Sequence, residues 1–195
     1  MIHGLSKNIA EFYGDKEGYT QDKIEVCTYG LELIISDIIA IFIVMIAAVF
    51  TNTVLYTITL LLVFASIRLQ AGGFHASSHL KCNLLFFAAY AVSVLLVKFI
   101  PINITKYLIS IMNVISIIEI IMYAPVAHLN KPVSKKKKKK CRYRSLIMAI
   151  VFSVASIILS VCLPMSQYAI AIALGLFWVG LSIMSETLKQ KRVTK

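Results

Sequence analysis

Acidic side chains are scarce in this chain: nine Asp and Glu stand against 20 Lys and Arg, for a formal net charge of +11 over 195 residues. The sequence also lacks the polar surface of a soluble domain, since 59% of it is hydrophobic and the mean hydropathy is +0.83. A soluble fold of this size cannot hide so much apolar area. A secretory signal is not expected either: the first thirty residues are mixed polar and amphipathic, so the first apolar span is expected to direct insertion. The four cysteines, Cys27, Cys82, Cys141 and Cys162, do not form a disulfide framework. Three are expected on the reducing cytoplasmic side, and Cys162 lies near the outer end of its span. Cys27 and Cys162 read as small apolar fillers, and Cys141 has no base near it in sequence.

What is present is a series of long apolar runs. Only a helix satisfies its own backbone hydrogen bonds in lipid, so such runs read as transmembrane helices. Six are expected: Leu33 to Phe50, Val54 to Ile67, Leu84 to Ile100, Tyr107 to Tyr123, Leu146 to Leu163 and Tyr168 to Met184. Short links at 51–53, 101–106 and 164–167 alternate with longer polar segments at 68–83 and 124–145, which predicts three helical hairpins. The fold class is therefore an all-α integral membrane protein with six transmembrane helices and one polytopic domain. Residues 1–30 form an interfacial segment, 68–83 a bent polar segment and 124–145 a basic cytoplasmic loop.

Orientation follows from counting cations. One side collects 18 of the 20 Lys and Arg, leaving Lys98 and Lys106 for the other, so both termini and the 68–83 segment are expected in the cytoplasm. Ahead of the spans, Ile2, Leu5, Ile9 and Phe12 recur at helical spacing, with a break expected over Gly14 to Gly18. A second helix from near Thr20 carries Ile24, Cys27 and Leu31 on one stripe and can run into the first span. This amino-terminal part reads as a plain anchor in the interface plane or as a contributor to substrate docking.

Lys135, Lys136, Lys137, Lys138, Lys139 and Lys140, followed by Arg142 and Arg144, make the densest charge in the chain. Such a run serves as a topology signal attracted to anionic membrane lipids, or it draws an acidic peptide partner. Nucleic acid is not expected, because Tyr143 is the single aromatic there able to stack on a base.

The polar segment between the second and third spans carries Arg68, Gly72, Gly73, His75, His79 and Cys82. Histidine and cysteine are the residue types of a base and nucleophile, although the same pair also occurs in ordinary polar loops. On a helix, His79 and Cys82 are three residues apart and can touch. His75 would lie about 10 Å along the axis from Cys82, too far for a hydrogen bond. Spacing therefore favours His79, and His75 can act as base only if the chain bends. Two histidines and one cysteine do not make a zinc site; no metal or other cofactor is expected. Asp37 and Glu119 are acids inside spans, where a carboxyl tends to face the bundle interior; either could orient an imidazole or pair with Arg68.

The arrangement of Arg68, Gly72, Gly73, His75, Ala76 and Cys82 after the second of six spans resembles the accessory gene regulator B family, the membrane cysteine endopeptidases of bacterial peptide quorum sensing. Tyr29 to Glu32, Tyr123 to Pro125 and Asn130 to Pro132 agree with it, and the resemblance covers nearly the whole chain. It implies that Cys82 is the nucleophile and His75 its base, which overrules the spacing preference and predicts a bend at the glycines. It implies that Arg68 and Gly73 occupy positions needed for activity. It implies a small amphipathic peptide precursor with an acidic carboxyl-terminal tail as partner, a thiolactone or lactone product, a homodimer and a bacterial cell membrane. One departure is visible: relatives usually carry an aspartate two residues after the proline, where this chain has Ala127 and then His128. The rival from another class is a six-helix transporter without peptidase activity, which would use His75, Asp37 and Glu119 as a polar path. The two halves show no repeat and no matching pair of broken helices to support it.

Overall fold

The computed structural model describes residues 2–73, 79–126, 135–161 and 166–193. These residues form helices only: α1 (Ile2–Glu17), α2 (Gln21–Phe50), α3 (Val54–Ala71), α4 (His79–Phe99), α5 (Ile102–Tyr123), α6 (Lys135–Val161) and α7 (Ser166–Val193). Six of them, α2 to α7, are long and apolar enough to cross a membrane. The chain is an all-helical, multi-pass membrane protein. Its residues group into two compact units, one of 1–50 with 76–88 and one of 51–75 with 89–195.

In the first unit α1 packs on α2 through its small residues. Ser6, Ala10 and Gly14 are buried, whereas Leu5, Phe12 and Tyr13 of the same helix are exposed. Leu5 and Phe12 of the expected apolar stripe thus point away from α2, as an interfacial helix requires, while Ile2 and Ile9 are half-buried. The expected break over Gly14 to Gly18 is narrower than its glycines suggest, because α1 continues to Glu17. Gly14 stays helical and gives close packing, since a Cβ there would lie 2.7 Å from the Ile24 side chain. The turn falls at Gly18, whose φ of 64° suits glycine, and Tyr19 N–H donates to Gly14 O at 2.9 Å. On α2 the buried stripe is Ile24, Thr28, Ser36, Ala40, Val44 and Ala48 rather than the expected Ile24, Cys27 and Leu31.

The second unit is organised around α7, which packs against α3, α5 and α6. Residues 169–176 of α7 are buried without interruption. Alanines at 169, 171 and 173 and Gly175 let the neighbours approach closely; a Cβ on Gly175 would meet Leu60 O at 3.1 Å. Apolar lipid gives helices no hydrophobic reason to associate, so close packing of small residues and hydrogen bonds between helices hold them. Asn113 Nδ2 donates to Ser156 Oγ at 2.7 Å across α5 and α6, and Trp178 Nε1 donates to Ser93 Oγ at 2.8 Å.

Two sequence expectations change here. α3 runs a turn beyond Ile67 and takes in Arg68, a cation well placed at the negative end of a helix. The stretch 124–145 is not all loop, since α6 starts at Lys135 and Lys135–Lys140 are helical. At 27 residues α6 is about 40 Å long, against about 30 Å of hydrocarbon, so its lysine end projects from the membrane. Arg142 is engaged there, because its Nη2 donates to Ile121 O at 2.8 Å and so caps the last turn of α5.

Candidate functional site

The two glycines after α3 end it. Gly72 has a φ of 77° and its N–H donates to Arg68 O at 2.9 Å, so the backbone leaves the helical path where the bend is expected. That N–H is therefore engaged within the helix cap. Its close neighbour is the carbonyl of Val126, which a Cβ at position 72 would strike. Val126 N–H in turn donates to Ala71 O at 2.9 Å. Residues 71–73 and 124–126, far apart in sequence, are thereby joined at one end of the second unit. Ala71 and Ala124 belong to the same buried core as Ile67, Ile120, Val179 and Ile183.

Arg68 is turned into the same place. Its Nη1 donates to Ser182 Oγ on α7 at 3.0 Å, and its guanidinium carbon lies 5.5 Å from the Phe64 ring centroid, within cation–π range. Gly73 is buried against both partners; a Cβ there would be 2.7 Å from Arg68 Nη1 and 2.7 Å from Ser182 Oγ. The glycine pair is thus explained by a left-handed turn and a close approach. Ser182 was not a sequence candidate; its signal is a hydroxyl inside an otherwise apolar run, a group that in lipid seeks a protein partner.

Glu119 lies in the second unit, 7% exposed, with its carboxyl against Gly180 and its Oε2 without a hydrogen-bond partner among the described residues. Gly180 and Ser182 are about 200° apart around α7, so Glu119 and Arg68 approach that helix from opposite sides. Asp37 is exposed on α2 in the first unit.

Cys82 belongs to the first unit, half-buried in the first turn of α4. Its chain neighbour Asn83 accepts a hydrogen bond at 3.2 Å from Ser36 Oγ on α2, which holds that turn against the first span. His75 lies outside the described residues, as does the side chain of His79, and Ala127, His128 and Cys162 do also. Of the lysine run, Lys136 to Lys140 are exposed and Cys141 is half-buried.

A family model described as Accessory gene regulator B matches residues 6–183. Accessory gene regulator protein B of Staphylococcus aureus strain bovine RF122 / ET3-1 is 30% identical over 137 residues, which is 67% of this chain and 68% of the relative. An AgrB-like protein of Clostridium perfringens strain SM101 / Type A is 30% identical over 190 residues, 91% of this chain and 89% of the relative. No solved structure matches the chain.

Proposed function

This chain belongs to the accessory gene regulator B family, and from that premise we propose that it is a membrane cysteine endopeptidase that processes a peptide pheromone precursor. Membership supports a role in the accessory gene regulator quorum-sensing system. The observation that carries the finer reading is the half-buried thiol of Cys82 in a helical turn tied to α2 through Ser36 and Asn83, just beyond a backbone break at Gly72. A thiol so held can meet a carbonyl in a defined geometry.

In this reading Cys82 gives its proton to His75, and the thiolate attacks the scissile carbonyl of the bound precursor. The amide C–N bond breaks, the leaving amine takes the proton from His75, and a thioester to Cys82 remains. A thiol in the precursor then attacks that thioester, a new thioester closes the ring, and Cys82 is released. Thioester exchange is nearly neutral in bond energy, so excluding water decides between ring closure and hydrolysis. Arg68, Gly73 and Ser182 hold the carboxyl-terminal end of α3 against α7. Lys135–Lys140 attract the acidic tail of the precursor from the cytoplasm, where the termini also lie, and the nearby anionic lipids share that charge.

The test is substitution in the protein inserted in membranes, with a small amphipathic peptide carrying an acidic carboxyl-terminal tail as substrate. Cys82→Ser, at unchanged membrane level, abolishes tail cleavage. His75→Ala does the same while His79→Ala retains it. Cleavage surviving Cys82→Ser would remove the peptidase reading and return the transporter to first place.

A further inference from the structure

One face of α2 carries more than the Ser36 contact to Asn83. Between α1 and the first turns of α2 the first unit contains a cleft of about 440 Å³, a volume within the range of sites that take small ligands or peptide side chains. His3 and Lys7 line it from α1, and Ile24, Glu25, Tyr29 and Glu32 from α2. Its charges are unevenly matched. His3 is hydrogen-bonded to Glu32, and Lys7 lies 3.7 Å from Glu11 on its own helix. Glu25 is exposed in the cleft and forms no ion pair or hydrogen bond among the described residues.

Positions 25, 29, 32 and 36 fall on one stripe of a helix with 3.6 residues per turn. Ser36, at the far end of that stripe, is the residue bonded to Asn83 beside Cys82. Glu25 and Ser36 are eleven residues apart, which is about 16 Å along the axis. An extended peptide covers that distance in about five residues.

We propose that the α1–α2 cleft binds a cationic side chain of the peptide substrate at Glu25, about five residues along the peptide from the carbonyl presented to Cys82. The proposal rests on the peptidase reading for the nature of the ligand, and it adds a second recognition element of opposite sign to the acidic tail. Glu25 acts by positioning the peptide and takes no part in bond making.

The experiment uses the full chain in phosphatidylcholine nanodiscs and synthetic neutral peptides that carry one lysine and one chloroacetyl group, separated by about two, five or nine residues. Alkylation of Cys82 is followed by mass spectrometry. At the middle spacing the lysine peptide alkylates Cys82 about fivefold faster than its norleucine counterpart, the ratio of a modest ion pair. The advantage disappears in Glu25→Gln, and in Glu25→Lys a peptide with glutamate in place of lysine becomes the fast one. Equal rates for lysine and norleucine peptides, or an advantage that survives Glu25→Gln, overturn the proposal. So does its loss in phosphatidylethanolamine nanodiscs, which would assign the cleft to a lipid ammonium. Alkylation needs no catalysis, so the two readings fail separately. A chain that shows the spacing effect but never cleaves a precursor loses the peptidase reading alone. One that cleaves without dependence on Glu25 loses only the cleft.

Discussion

At Gly73 a single hydrogen in place of a methyl group admits the Arg68 guanidinium and the Ser182 hydroxyl together. Gly73→Ala is expected to destabilise the folded protein by about 1–3 kcal/mol, the usual cost of overpacking, and to abolish processing; thermal unfolding in detergent and a cleavage assay read the two effects. Ser182→Ala removes the acceptor for Arg68 Nη1 and costs about 1 kcal/mol. Gly180 presents the same logic with a buried carboxyl as neighbour. Gly180→Ala alone drives a methyl group into Glu119, and Glu119→Ala vacates that space. The double variant is expected to be more stable than the sum of the single losses by about 0.5–3 kcal/mol; simple additivity would show that the contact does not limit packing. Neither glycine environment is visible in the residue's immediate sequence, because Ser182 and Glu119 come from elsewhere in the chain.

Among the helices, α6 joins two functions along its length. Its apolar part crosses the membrane, and its first turns carry the lysine run beyond it. Arg142 and the lysines then separate experimentally. Arg142→Gln removes the cap on α5 and lowers the melting temperature. Replacing Lys136 to Lys140 together by glutamine leaves the melting temperature unchanged, and it weakens the binding of an acidic peptide at low salt while flattening the salt dependence. Unchanged affinity at low salt would remove the lysines from substrate recognition. α1 shows how far periodicity reaches at this scale. The repeat of Leu5, Ile9 and Phe12 identifies an amphipathic helix, but Ser6, Ala10 and Gly14 make the contact with α2. Small residues leave little trace in a hydropathy pattern, although they set how near two helix axes can come.

For the whole molecule, the imbalance of cations predicts sidedness. Cys141 in an otherwise cysteine-free chain is expected to react with an impermeant maleimide in inverted vesicles and not in intact cells, and Lys106→Cys is expected to do the reverse. Labelling of both from the same side would remove the proposed orientation. The two compact units divide the candidate groups: Cys82, Asn83 and Ser36 in one, Arg68, Gly73 and Ser182 in the other.

The amino-acid sequence by itself determined that this is a six-span helical membrane protein with an amphipathic leading helix, where its charge lies, and that two glycines free the backbone after the second span; that the chain bends there was implied by the family resemblance. These properties depend on length, hydropathy and backbone freedom, which are readable along one dimension. Tertiary structure alone decided that Arg68 meets Ser182, that Val126 is bonded to Ala71, that Ser36 holds Asn83 and that Glu119 rests on Gly180. In a bilayer the lipid-facing and protein-facing sides of a helix are similarly apolar, so the pattern of hydropathy does not say how each helix is rotated about its axis. That rotation chooses which polar groups find each other.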